Sequence, residues 1–267
     1  MQSSGVITIT TDFGHKGPFA GVMKGVILTR FPAARIVDLA HDIPAHWPPE
    51  AGFWLSRSYR YFPAGTVHIA IVDPGVGTDR EIIVAECGGH CFLAPDNGLL
   101  APVLSEPDVA VYRLDPKRLS RLCLPTPSLT FQGRDVFAPV AAEIAAGRLG
   151  ASDVGQPFRD WAPSWLDDPI ADRGRVSGVV VTIDTFGNLI SNIEGELIAA
   201  MHHPVVSLAG HRIEMKATYG RAVPGSYLGL VNSFGVLEIA RAEGSAAEGL
   251  GVDRGAPVVV NDSAAPK

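Results

Sequence analysis

The sequence predicts two domains of different class: an α/β N-terminal domain with a mainly parallel sheet, and a smaller all-β C-terminal domain of barrel-like form. Three observations predict this. Apolar, β-branched runs alternate with stretches of helical spacing through the first half of the chain. Short strands punctuated by glycine, with little helix, fill the last third. Between them, Gln156–Arg175 carries Pro157, Pro163 and Pro169 with mixed charge, the texture of a crossing segment. The expected boundaries are 1–160 for the α/β domain, 161–175 for a linker, 176–262 for the barrel and 263–267 for a disordered tail.

Each element has a local reason. Val6–Thr11 is an apolar strand running into Asp12-Phe13-Gly14, and Phe19–Phe31 follows at helical spacing until Pro32 stops it. Arg35–Leu39 is a second strand, ending in Ala40-His41-Asp42. Pro48–Tyr61 reads as a helix with Pro in its first turn. Val67–Val72 is a third strand, apolar enough to be buried on both faces, and ends Asp73-Pro74-Gly75-Val76-Gly77. Strand, helix, strand, helix, strand is the signature of a parallel sheet, which delivers Asp12, His41, Asp42 and Asp73 to one edge. Ligands of open α/β sheets bind outside that edge. Glu81–Glu86 and Cys91–Ala94 read as an antiparallel pair, Asp96-Asn97-Gly98 as the opening of a short helix, Val109–Tyr112 as a strand and Pro125–Ser128 as loop. Thr130–Asp135 leads into a helix over Val136–Ala146. In the barrel, strands are expected over Gly178–Ile183, Val205–Leu208, Arg212–Thr218, Tyr227–Asn232, Val236–Ala240 and Pro257–Asn261. Two glycine-bounded turns, Asp184-Thr185-Phe186-Gly187-Asn188 and Asn232-Ser233-Phe234-Gly235, together suggest a ligand edge there.

Composition narrows the function. The chain is 46% hydrophobic and 19% charged, as in globular proteins, and its net charge of -6 with no basic stripe argues against a nucleic-acid partner. No run approaches a membrane span and the N-terminus lacks the regions of a signal peptide, so the expected address is the cytoplasm. Cys87, Cys91 and Cys123 have no metal-like spacing and read as reduced thiols.

With these stretches in hand, the chain resembles the S-adenosylmethionine hydroxide adenosyltransferase family, relatives of the fluorinase and chlorinase enzymes. The likeness rests on Thr11–Gly14, Val72–Gly77, Ala94–Leu100, Phe131–Pro139, Asp184–Asn188 and Asn232–Gly235, in that order over nearly the whole chain. The resemblance implies hydrolysis of S-adenosylmethionine to adenosine and methionine, with the molecule as substrate and no cofactor or metal. It also implies a homotrimer whose sites lie at subunit interfaces. Asp12 is implied to bind the ribose hydroxyls, and Asp184 and Ser233 the methionine part. Phe186, Asn188 and Phe131 are implied to line the pocket, Tyr219 to stack on the base, and Arg241 to lie near the adenine edge. Asp73 and Arg80 match two of three residues that handle water in hydrolytic members. The third, a histidine, is Gln132 here. The expected residues of catalysis are therefore Asp73, Arg80 and Gln132.

Two other functions suit the residues. One is a binding module for S-adenosylmethionine or adenosine, its chemistry lost with the histidine. The other is a metal-dependent phosphoesterase using Asp12, His41, Asp42 and Asp73. A halogenase is disfavoured because the carboxylate of Asp73 repels a halide.

Overall fold

A computed structural model describes residues 2–120, 122 and 127–263; the expectations that fall on Met1, Cys123, residues 125–126 and residues 264–267 lie outside these. The chain divides into two compact units, Met1–Trp165 and Leu166–Lys267.

In the first unit, β1 (Val6–Thr11), α1 (Phe19–Arg30), β2 (Arg35–Ala40), α2 (Pro48–Ser58) and β3 (Val67–Ile71) follow in order. β1 pairs in parallel with both β2 and β3. β4 (Ile82–Cys87) and β5 (His90–Pro95) form the expected hairpin, closed at Gly88 and Gly89, whose φ values of 56° and 81° a side chain would resist. β5 returns to lie parallel to β3. The helix expected from Asp96 starts later, as α3 (Ala101–Leu104), and β6 (Ala110–Leu114) pairs antiparallel with β4. α4 (Pro116–Leu119) is capped by Asp115, whose carboxylate accepts from Lys117 N at 2.9 Å. The helix expected at Val136 begins earlier, with a π-turn over Gly133–Phe137 that continues into α5 (Ala138–Ala145). After α6 (Ala151–Val154), β7 (Gly155–Pro157) adds an antiparallel edge strand. The sheet order is β2-β1-β3-β5-β4-β6-β7, so its first half is parallel and its second antiparallel.

Both faces are covered. Ile7, Ile9, Ile69 and Ile71 pack against Met23 and Ile27 of α1 and the apolar side of α5. On the other face Ala70, Val72 and Phe92 meet Ala51 and Leu55 of α2 with Leu99 and Val103. That explains why β3 carries no polar alternation apart from His68.

The second unit contains β8 (Ile170–Asp172), β9 (Arg175–Ile183), β10 (Leu189–Glu194), α7 (Gly195–Ala199), β11 (Pro204–Leu208), β12 (His211–Glu214), β13 (Tyr227–Val231), β14 (Val236–Arg241), α8 (Ala246–Leu250) and β15 (Pro257–Asp262). The order β12-β11-β15-β9-β10-β14-β13, with a bridge from Met215 to Gly229, makes a nearly closed antiparallel barrel. Its core is Val180, Leu189, Ile193, Val206, Leu237, Ile239 and Val258 with their neighbours.

The strands of the second unit differ from expectation at two places. β10 is not among the expected strands: its polar Ser191 and Asn192 interrupt the apolar run, but Ser191 Oγ donates to Leu237 O at 3.0 Å and Asn192 Oδ1 accepts from Val179 N at 2.8 Å. The strand after Gly210 ends at Glu214 rather than Thr218; Met215 then makes an isolated bridge to Gly229, and a short 3-10 turn, Tyr219–Arg221, follows. Along the crossing segment Gln156–Arg175, β7 pairs with β6 and β8 pairs with β9.

Candidate active site

Parallel strands place Asp12 just past β1, His41 just past β2 and Asp73 two residues past β3, all at one edge of the first unit. They do not serve one purpose. His41 is buried, its Nδ1 at 2.8 Å from Thr11 Oγ1 and its Nε2 at 2.9 Å from Asp38 Oδ1. Both ring nitrogens are therefore occupied, leaving neither for a metal. Asp42 is exposed beside His15. Among the described residues no three His, Cys, Asp or Glu side chains are grouped to hold a metal ion. The phosphoesterase expectation fails on His41.

Asp73 and Arg80 do come together. Arg80 Nε donates to Asp73 Oδ2 at 2.8 Å and its Nη2 donates to the same oxygen, while Gly75 N donates to Asp73 Oδ1 at 3.2 Å. The two side chains are only 5% and 10% exposed, so the pair is shielded from water. Arg80 Nη2 also donates to Gln132 Oε1. Two positions hold the geometry upstream and above. Asn97 Nδ2 donates to Val72 O at 2.9 Å, fixing the carbonyl beside Asp73. A Cβ on Gly77, at φ 83°, would stand 2.9 Å from Leu129 O, so the turn and the strand of chain before Phe131 abut closely.

Asp12 is half-buried, and burial, reinforced by the charge of Asp73, raises its pKa above the ordinary Asp value. The His46 backbone N–H, at 3.4 Å from Oδ2, offsets part of that rise. Phe131 closes the cluster. Its ring lies 6.1 Å from Phe13 and 5.3 Å from Phe19, edge-on to both, with the Arg134 guanidinium 5.3 Å from its centroid. Arg134 is held in turn by the buried carboxylate of Asp135, which also accepts from Ser128 N at 2.8 Å. Gly133 is closely packed in the π-turn, since a Cβ there would lie 3.0 Å from Met23 Sδ and 3.3 Å from the Phe131 ring. π-Turns of this kind recur at functional sites. Phe19 was read only as a helix apolar position; its 47% exposure next to Phe13 is what marks it as part of the wall.

In the barrel unit, Asp184 is engaged by its own turn. Its Oδ1 accepts from Phe186 N and Asn188 N, both at 2.9 Å, and its Oδ2 from Asn188 Nδ2 at 2.9 Å. That uses three of about four acceptor positions of a carboxylate. Asn188 is buried and Phe186 is 78% exposed. Because β10 and β14 are antiparallel, the turn before each lies at opposite ends of the pair: Asp184–Asn188 beside the end of β14, Asn232–Gly235 beside Gly195. The two turns do not form a single edge. Ser233 is exposed. Tyr219 Oη donates to Glu238 Oε1 at 2.5 Å. Arg241 falls on the opposite face from Glu238, with Leu237 and Ile239. Its guanidinium lies 5.6 Å from the Tyr227 ring and its Nε donates to Gly225 O at 3.1 Å. The structure therefore does not bring the Arg241 side chain to Tyr219.

An acid, a guanidinium and an amide are joined at the carboxyl edge of the parallel strands, beside a wall of aromatic rings, and that is the edge where open α/β sheets bind their ligands. The chain belongs to the SAM hydroxide adenosyltransferase family: the models of that family's N-terminal and C-terminal domains match residues 7–155 and 178–259. It is 37% identical to the (R)-S-adenosyl-L-methionine hydrolase of Thermus thermophilus over 93% of this chain and 96% of that one. It is 36% identical to the protein of the same name from Salinispora arenicola, over 96% and 97%. A fluorinase from an Actinoplanes species is more distant, at 26% identity over 70% of this chain and 71% of its own. The solved structure of an uncharacterized conserved protein from Thermotoga maritima superposes with a TM-score of 0.87 at 33% identity, covering 96% of this chain and 99% of that one. No helix among the described residues is long and apolar enough to cross a membrane.

Proposed function

We propose that the protein hydrolyses S-adenosylmethionine to adenosine and methionine, and that, like the relatives whose names specify it, it acts on the R sulfonium epimer. The observation that carries this is the Arg80 guanidinium shared by Asp73 and Gln132. A guanidinium only donates, so the oxygen of the Gln132 amide must face it, and the amide N–H₂ is left to donate elsewhere. An acceptor, Asp73, and a donor, Gln132, thus stand together on one cation. That is an arrangement for holding one water molecule by its proton and by its oxygen.

The reaction is an in-line displacement. The water oxygen bonds to ribose C5′ as the C5′–S bond breaks, the electron pair leaves on sulfur as a neutral thioether, and the water proton passes to Asp73 and then to solvent. Attack with hydroxide character annihilates the sulfonium charge, so a dry site favours it. A carboxylate is a weak base towards water, so most of the acceleration is assigned to alignment, a contribution of up to roughly 7 to 11 kcal/mol. Asp12 accepts from the ribose hydroxyls, and Phe131 with Phe13 and Phe19 excludes water. Asp73 in this position also disfavours a halide as nucleophile.

On the barrel side, Asp184 keeps one acceptor position, which suits the ammonium of the methionine part. Asn188 is locked to Asp184 and acts with it, with exposed Phe186 as an apolar wall. Ser233, at the other end of β14, contacts whichever part of the ligand runs along the strand past Tyr219. The homotrimer with interfacial sites and the cytoplasmic address belong to the same proposal. No observation favours a module without chemistry.

Incubation with each sulfonium epimer, followed by chromatography of the products with and without chloride and fluoride, tests the reading. Equal adenosine and methionine from the R epimer, with no halogenated nucleoside, is expected. A halogenated product, or no turnover of either epimer, contradicts it.

A further inference from the structure

The outer face of the barrel sheet carries a buried acid that the proposed chemistry does not use. Thr182, Ile190, Glu238 and Leu230 stand opposite one another in a row across β9, β10, β14 and β13. Leu237 and Ile239 point into the barrel core, so Glu238 points the other way, among Leu228, Leu230 and Ala240. It is 3% exposed. A carboxyl group in such surroundings is costly unless its oxygens are bonded, and a leucine would fill the row without that cost. Both oxygens are bonded here: Oε1 accepts from Tyr219 Oη at 2.5 Å and Oε2 from Asn232 Nδ2 at 3.2 Å.

Each partner carries a piece of the barrel-side contact surface. Tyr219 opens the 3-10 turn Tyr219–Arg221 and is 47% exposed as a residue. Asn232 uses its oxygen to accept from Phe234 N at 3.0 Å and Val236 N at 3.4 Å, so it shapes the turn that presents Ser233. Since Asn232 Oδ1 is committed to that turn and a carboxylate only accepts, the orientation of the amide is fixed. Glu238 thus joins the Tyr219 turn to the Asn232 turn.

We infer that Glu238 is a positioning residue of the substrate site: it fixes the Tyr219 ring and the Ser233 turn relative to each other before ligand arrives. The inference rests on the barrel-side reading of Tyr219 and Ser233 given above. Fixing the two in advance removes an ordering cost from binding, so its loss acts on KM and on affinity rather than on the chemical step. Burial first, then the hydrogen bond to Glu238 and its charge, with Asp184 last, raise the Tyr219 pKa.

Four proteins test this: wild type, Glu238→Ala, Glu238→Gln and Tyr219→Phe, each assayed for S-adenosylmethionine hydrolysis and titrated calorimetrically with adenosine. Glu238→Ala is expected to raise KM and weaken adenosine binding about tenfold with kcat within about twofold. Glu238→Gln is expected to retain affinity within about threefold, since its oxygen still accepts from Asn232 and the phenol can turn to accept from its amide. Its Tyr219 phenol, identified by the ultraviolet titration that Tyr219→Phe removes, should ionise at lower pH than in wild type. A change in fold alone would not produce that split. If Glu238→Ala fails to fold, Tyr219→Phe must by itself raise KM about fivefold, the cost of one such bond. Wild-type KM in Glu238→Ala or in Tyr219→Phe, or a fall in kcat at unchanged KM, overturns the inference. A wild type that neither turns over substrate nor binds adenosine overturns the functional reading beneath it.

Discussion

Arg80 donates to Gln132 Oε1 with the same nitrogen that donates to Asp73 Oδ2, so Gln132, where the family resemblance implies a histidine, is joined to the acid. The amide cannot titrate. It hydrogen-bonds the Arg80 guanidinium but offers no base.

Arg80→Lys is the sharpest test of that wiring. An ammonium can pair with Asp73 but lacks the planar fork needed to hold Asp73 and Gln132 together. A fall in kcat of about 10- to 100-fold is expected, with KM within a few-fold, by steady-state kinetics. A lysine enzyme of wild-type kcat would show that Gln132 needs no anchor.

Gln132→His should introduce a titrating group where the wild type has none. The variant is expected to match or exceed the wild-type rate and to gain a limb near the ordinary His value of about 6.5 in its pH profile. Both proteins should share an acid limb from Asp12, whose pKa is raised by burial. As pH falls through that raised value Asp12 gains a proton and ceases to accept from both ribose hydroxyls, so kcat/KM falls. Asp12→Asn should remove this limb while raising KM.

Gly52 supports the edge from below. A Cβ at this position in α2 would stand 2.1 Å from Leu99 O, a backbone atom in the turn whose Asn97 holds the Val72 carbonyl. Gly→Ala in an exposed helix gains about 1 kcal/mol. Here overpacking outweighs that gain, and Gly52→Ala is expected to destabilise by about 1 to 3 kcal/mol in urea unfolding and to lower kcat.

His68 makes a separate prediction about pH. It is fully buried, with Nδ1 at 2.8 Å from Thr8 Oγ1 and Nε2 at 3.1 Å from His90 Nδ1, beside Tyr59 and Phe92. Burial, and then His90, lower its pKa to about 3. The unfolded chain takes up this proton near pH 6.5 and the folded chain does not, so the contribution is intact above about 6.5 and is lost progressively towards 3, at up to ~1.4 kcal/mol per pH unit. Urea midpoints should fall steeply over that range in wild type and less in His68→Gln. Equal slopes would show that His68 does not govern acid sensitivity.

The first unit was legible because its signals are local: an unbroken apolar run is a buried strand, and a carboxylate followed by glycine marks its carboxyl end. Asp73, Arg80 and Gln132 could be named from sequence, and the structure joins them. What escaped depended on distant partners. β10 hides its strand character because Ser191 and Asn192 find acceptors and donors on β14 and β9. Gln132 sits at the head of a π-turn in which Gly133 packs closely against Met23 and Phe131. That strand alternation turns Arg241 towards Tyr227 could not be read from its position alone. Glu238 did leave a trace, as the one charged residue inside the apolar run Val236–Ala240, and its meaning appears only once Tyr219 and Asn232 are seen to converge on it.

The central claim is that Asp73 and Arg80 direct a water molecule to ribose C5′. Wild type and Asp73→Asn should be incubated with the R epimer in heavy-oxygen water and the adenosine analysed by mass spectrometry. Wild type is predicted to place solvent oxygen in the 5′-hydroxyl of essentially every adenosine released. Asp73→Asn is predicted to bind adenosine normally but to form product at least about 10²-fold more slowly. Unlabelled adenosine from wild type, or labelled adenosine from Asp73→Asn at the wild-type rate, would contradict the account.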